Sequence, residues 1–439
     1  TLSSSSAASD VYKRQVQVTE WDEPQAVIGS YLQKYVYPDY YAAHKERDEE
    51  LTTGYSHGSG TVGCIQLRGE YLFAAAGEKG LIVYDVASIA NKGVSQRIIT
   101  APASKLGQDT NIKSENATCV SLSTTQPVAP DKNVGELMRD VNQERPTHPI
   151  YKYAIITDSV EGLILSDMGT LTDLEPRNNF LERAVTWNED GVLDGARHIA
   201  MGGHMAYVAV TDGIAIVDLD DPLQPVYIKT VPIDGARSVV QQFRFLFVTH
   251  DEGLSVIDIT DIEKAFVIAD NTIEMKEAHN VFVARTYAYV AAGKEGLIIV
   301  DIEDPTSMKV YETFTDNIVD ARDVVVATTN ASLMGYVADG EAGLKVIQLT
   351  APDSQPRFYG FSPEPKPETI AHYTTKKPVI SLSRGLERDR AVDETGGQVA
   401  VFSRVGSGPL LPEDMRQLYL DKDGKPWFVN DTPKEKQAE

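Results

Sequence analysis

From residue 60 to about 406 the chain is a succession of short runs rich in Val, Ile, Tyr and Phe, separated by Gly and Asp. Apolar and polar positions alternate within the runs with a period of two, as strands require. No stretch carries the 3.6-residue period of a long amphipathic helix. The runs recur in blocks. Four blocks align almost without gaps, opening DGARHIA at Asp194, DGARSVV at Asp234, EAHNVFV at Glu277 and DARDVVV at Asp320. Each continues through an aromatic-Val strand and a glycine turn, and three of the four close on Gly-Leu(Ile)-x-Val-x-Asp or a near variant of it. Earlier copies begin at Thr61 and Asn116, and a weaker seventh begins at Val379.

The glycine that opens the closing strand falls at Gly80, Gly162, Gly213, Gly253, Gly296, Gly343 and Gly397. After one wide first interval the spacing settles at roughly 40 to 50 residues, the length of four short strands and longer than a leucine-rich repeat. One such sheet cannot cover both of its faces, whereas radial stacking buries both. The pattern predicts an all-β protein, a seven-bladed β-propeller, with six blades if the last copy is not a blade.

Domain boundaries follow from where the repeat starts and stops. Residues 1–15 share no pattern with the rest and read as a translated sequencing adapter, a non-native segment. Residues 16–56 are expected to lie over the propeller, with the charged run from His44 to Glu50 solvated. The propeller spans 57–406. An insertion at 123–149, polar and Pro-containing, interrupts the second copy and is expected to run over one face as the preferred partner-binding element. Residues 407–439 form a C-terminal extension with a hairpin and a disordered end. There Asp421-Lys-Asp423-Gly424 resembles the start of a calcium loop but lacks the further acidic ligands, so a hairpin turn is the simpler reading.

Composition narrows the partners. The 439 residues carry 41 Lys+Arg against 64 Asp+Glu, a net charge of −23. That surplus repels phosphate backbones and anionic lipids, which argues against nucleic acid, and no apolar run reaches the roughly 18 residues of a membrane span. Two cysteines, Cys64 and Cys119, exclude a four-cysteine zinc site within these residues.

The strands GLIVYD, GIAIVD, GLSVID and GLIIVD resemble the LVIVD-repeat family of bacterial and archaeal propellers. Longer matches, HGSGTVGC at 57–64, LTDLEPRNNFL at 171–181, ARTYAYVAAGKEGL at 284–297 and GLERDRAVDETG at 385–396, resemble the long LVIVD proteins found beside or fused behind multihaem c-type cytochromes. The resemblance implies a periplasmic, cell-surface or extracellular setting and a multihaem c-type cytochrome as partner. The chain departs from the fused form in lacking Cys-x-x-Cys-His, so it is either the stand-alone type or a form whose haem segment lies upstream. The family supplies no reaction.

Superposing the copies nominates the site. The residue before the first Val or Ile of each unit is Cys64, Cys119, His198, Ser238, Asn280 and Asp323, with Val379 last, and His198, Asn280 and Asp323 are expected in a ring around the channel. One position earlier stand Arg197, Arg237, His279 and Arg322, a basic arc able to hold a carboxylate or phosphate. The competing reading is blade-to-blade ion pairing with the recurrent Asp194, Asp234 and Asp320 and the turn residues Asp158, Asp212, Asp251 and Asp339. Cys64 and Cys119, equivalent in adjacent blades, are two buried thiols, a disulfide, or metal ligands with His198. The residues indicate no catalytic constellation, resident metal or cofactor. The expected function is a non-enzymatic binding scaffold. A metal-dependent lactonase or lyase at the channel mouth and a structural surface-layer or matrix component are the alternatives.

Overall fold

The computed structural model describes residues 61–69, 71–86, 99–100, 111–124, 147–172, 180–329, 332–351, 362–384 and 420–425, with Pro130 and Glu136 singly. The segments 1–15 and 16–56, most of the insertion, the end of the last copy and most of the C-terminal extension lie outside them. None of the described helices is long and apolar enough to cross a membrane.

Among the described residues, six antiparallel sheets, each with its strands in chain order, make six propeller blades. Their innermost strands are Cys64–Arg68, Ala117–Leu122, His198–Gly202, Ser238–Gln242, Asn280–Ala284 and Asp323–Thr329 in blades 1 to 6. This is the six-blade arrangement. Val379 bridges Gly340 as Ala117 bridges Gly77 and Ala321 bridges Gly293, so residues 379–384 run between blade 6 and blade 1. There Ile65 N–H donates to Ser381 Oγ at 3.2 Å and Leu67 N–H to Ser383 Oγ at 2.8 Å.

The core explains why the middle strands are apolar on both faces. In the blade 3 strand Met205–Val210, Ala206, Val208 and Val210 pack toward blade 2, and Met205, Tyr207 and Ala209 toward blade 4. The next strand, Gly213–Asp218, divides Ala215 and Val217 from Ile214 and Ile216 in the same way. Each fully buried aliphatic side chain contributes about 1.5–3 kcal/mol, and these interleaved layers join the blades. Outer strands keep one wet face, as the strict alternation of exposed and half-buried residues in Glu182–Trp187 shows.

The repeat glycine has a physical cause. Gly213 and Gly253 have φ of +146° and +137°, and a Cβ on either would run into the carbonyl oxygen of Val231 or Ile273 on the neighbouring outer strand. Only glycine lets the outer strand approach so closely. The Asp that ends the same strand folds back on its own turn. Asp167, Asp218, Asp258 and Asp301 each accept from the amide two residues on, at 2.8, 2.8, 2.8 and 2.9 Å, an Asx-turn. These four carboxylates are thus structural punctuation. Asp421 Oδ1 likewise accepts from the amides of Asp423 and Lys425 at 2.8 and 2.9 Å, so it serves a turn.

Candidate functional site

The register defines two rims. Inner strands begin at the upper rim, where the turns between second and third strands also lie. They end at the lower rim, at the hairpins into the second strands. The insertion leaves and returns to blade 2 at the lower rim, after Leu122 and before Tyr153.

The channel ring is a belt of side chains bonded to one another. Ser238 Oγ donates to Asn280 Oδ1 at 2.6 Å, and Asn280 Nδ2 donates to Asp323 Oδ1 at 2.6 Å. Asp323 also accepts from Val324 N–H at 2.7 Å and Leu382 N–H at 2.6 Å, and bonds the Ser381 hydroxyl. Ser381, which reaches blade 1, therefore holds the place in the last copy that the sequence alignment gave to Val379. A two-residue slip along the strand preserves the facing of every side chain and so leaves no trace in the pattern. His198 Nδ1 accepts from Val239 N–H at 3.3 Å. Cys64 and Cys119 are joined as a disulfide, with Cα atoms 4.8 Å apart, and His198 is not bonded to them. Burial pushes the Asp323 carboxyl up to about 7 against the hydrogen bonds that favour its charge, and burial pushes the His198 imidazole down to about 4. At neutral pH His198 is a neutral acceptor.

Along the upper rim the four basic-arc residues occupy successive blades, and three of them are engaged. Arg237 pairs with Asp251 at 2.7 Å and donates to the Ala278 carbonyl of the next blade at 3.0 Å. Arg322 holds Asp320 at 2.7 Å and approaches His279 Nε2 at 3.2 Å. His279 is pushed below its ordinary range by burial and by the charges of Arg322 and Arg237. Both carboxylate partners belong to the same blade as their arginine, so the pairs brace blades internally, while the Arg237–Ala278 bond and the Arg322–His279 contact cross between blades. Arg197 is exposed and has no acidic partner among the described residues, while its neighbour Asp194 accepts from Asn188 at 2.8 Å. Around these groups stand exposed carboxylates: Asp194, Asp212, Asp234, Asp251, Glu252 and Glu277. The rim of blades 3 to 5 is therefore predominantly acidic. Ligating atoms of Glu277, His279 and Asp320 lie within 4.8 Å of one another, but the Arg322 guanidinium already holds two of the three.

The lower rim brings together residues that sequence reasoning did not nominate. His148, at the end of the insertion, caps the short 3-10 turn Pro149–Lys152 by accepting from Ile150 N–H at 3.1 Å. Its Nε2 lies 3.2 Å from Asp220 Oδ1, and its ring stacks on His204 of blade 3 at 6.0 Å between centroids. The available signal was positional: His204 immediately precedes a second strand, where blades 2 and 4 carry Lys152 and Arg244.

Comparison with known families agrees with the repeat architecture. The LVIVD repeat matches at residues 59–94, 195–231 and 276–316, whose described strands belong to blades 1, 3 and 5, so the chain carries LVIVD repeats. Among solved structures, the β-propeller domain of Cps50 (Swd1) from Myceliophteria thermophila is similar at 14% identity and a TM-score of 0.44, covering 76% of this chain and 92% of that one. A putative 6-phosphogluconolactonase from Bacteroides uniformis is similar at 10% identity and a TM-score of 0.48, covering 72% and 86%. Another from Bacteroides fragilis is similar at 9% identity and 0.49, covering 72% and 85%. No curated protein matches the chain.

Proposed function

We propose that this propeller is a non-catalytic binding scaffold outside the cytoplasm, and that its upper rim docks a cationic protein. The observation that carries the reading is the row of exposed carboxylates on blades 3 to 5, from Asp194 to Glu277, facing few cations that are not already paired. Fixed charge on a rigid rim steers a partner of opposite sign and raises encounter rates more than affinity. A multihaem c-type cytochrome with a lysine-rimmed haem edge has the matching chemistry, and the family resemblance points the same way. The Cys64–Cys119 disulfide supports an oxidising compartment.

The test uses a basic c-type cytochrome as probe and the triple variant Asp212→Lys/Asp234→Lys/Glu252→Lys, whose side chains are exposed at the rim. Binding is expected to weaken steeply as salt rises and to fall at least about tenfold in the variant. Equal binding by variant and wild type, or binding indifferent to salt, would refute the proposal.

A further inference from the structure

Blade 3 departs from its neighbours at one repeated position on the lower rim. The residue just before the second strand pairs with the strand-ending Asp: Lys152 Nζ with Asp167 at 3.1 Å in blade 2, and Arg244 with Asp258 at 2.7 Å in blade 4. In blade 3 the position is His204, whose Nε2 lies 3.5 Å from Asp218 Oδ1. Lysine and arginine side chains carry only donors, whereas an imidazole has a second nitrogen able to ligate. That second nitrogen, Nδ1, is buried without a hydrogen-bond partner, on a side chain that keeps 7% of its exposure. It lies 3.9 Å from Asp220 Oδ1, the same oxygen that His148 Nε2 approaches at 3.2 Å.

We propose that His148, His204 and Asp220 bind a divalent transition metal of the zinc type, which ties the returning end of the insertion to blade 3. Two imidazoles and a carboxylate are the donor set such ions take, with a fourth position open to water or to a partner's side chain. For bonds of about 2.0–2.1 Å a tetrahedral edge is about 3.4 Å, so the 3.2 Å separation already fits and the 3.9 Å one closes by about half an ångström. Asp218 on the far nitrogen of His204 supplies the carboxylate that orients a ligating imidazole. Asp220, with 69% of its side chain exposed, leaves the site open to solvent. Ligation through His148 Nε2 moves its ring proton to Nδ1 and releases the Ile150 amide, at the loss of one hydrogen bond. The upper-rim trio of Glu277, His279 and Asp320 has no equivalent vacancy, because Arg322 bonds two of its members.

The full chain without an affinity tag is titrated with zinc by calorimetry and by competition against a chromophoric chelator. One equivalent is expected to bind and to raise the melting temperature. Asp220→Asn, exposed and therefore neutral to folding, and His148→Ala are each expected to weaken binding by about tenfold or more, and His204→Ala to abolish the thermal shift. Glu277→Gln on the upper rim leaves both readouts unchanged. Zinc bound more weakly than about 100 µM, equal binding in Asp220→Asn and wild type, or loss of binding in Glu277→Gln instead would overturn the proposal.

Discussion

The belt around the channel contains two titratable groups, the buried Asp323 and the half-buried His198, whose effects on stability oppose each other. Asp323 is raised from its ordinary 3.8 to about 7, so between these values the folded state holds a proton that the unfolded chain has released. Its contribution is complete below pH about 4 and disappears as pH rises through about 7, at most about 4 kcal/mol. His198 is lowered from 6.5 to about 4, so in that window the unfolded chain binds the proton instead. Its contribution is complete above 6.5 and disappears as pH falls toward 4, at most about 3 kcal/mol. From pH 4 to 6.5 the two slopes cancel, and each appears when the other group is removed. Urea unfolding under non-reducing conditions at half-unit steps from pH 4 to 8 reads them out. Asp323→Asn should make stability rise by about 3 kcal/mol between pH 4 and 6.5 relative to wild type's course. His198→Asn should make it fall from pH 4 to 7, and the double variant should restore the wild-type shape up to pH 6.5. The asparagine at 323 also loses its bond to Leu382 N–H, which lowers the whole curve but not its slope. Parallel curves for Asp323→Asn and wild type would refute the reasoning.

Three further outcomes follow from the same geometry. Replacing Cys64 and Cys119 by serine opens a link across 55 residues and should cost about 4 kcal/mol of stability by chain entropy; a melting temperature indifferent to reductant would count against the bond. Gly253→Ala puts a methyl group against the Ile273 carbonyl at φ +137° and should destabilise by more than about 2 kcal/mol, measured by thermal unfolding. Arg237→Ala loses its Asp251 pair and its bond to Ala278 in blade 5, and should lower stability by about 1 kcal/mol equally with and without phosphate; a loss confined to phosphate-containing buffer would revive the anion site.

How far the sequence could be read depended on the distance over which each feature is decided. The blades were legible because their causes lie within one unit: the period of two in Met205–Val210, the glycine at 213 and the strand-ending Asp218 all act inside some 40 residues. The channel belt was half legible. Aligning the copies brought His198, Asn280 and Asp323 to one level, but placed Val379 where Ser381 belongs, because the last copy is held by Gly340 and Ile65 rather than by its own pattern. The basic arc illustrates the opposite limit. Four cationic or imidazole side chains do share the upper rim, yet their charge is set by Asp251 and Asp320 and by the surrounding carboxylates, which composition counts without locating.

The sequence by itself determined an all-β repeat architecture, its unit length, the turn chemistry and which positions of successive copies are equivalent, since these follow from local sterics and alternation. Only the tertiary structure decided which of those residues meet. Joining Cys64 to Cys119, setting Ser381 beside Ile65 and bringing His148 onto His204 all require the blades to be stacked in a ring. These contacts span about 55 to 316 residues of chain. No local preference encodes such a distance; it is set when interleaved apolar faces bury one another and fix the angle from blade to blade.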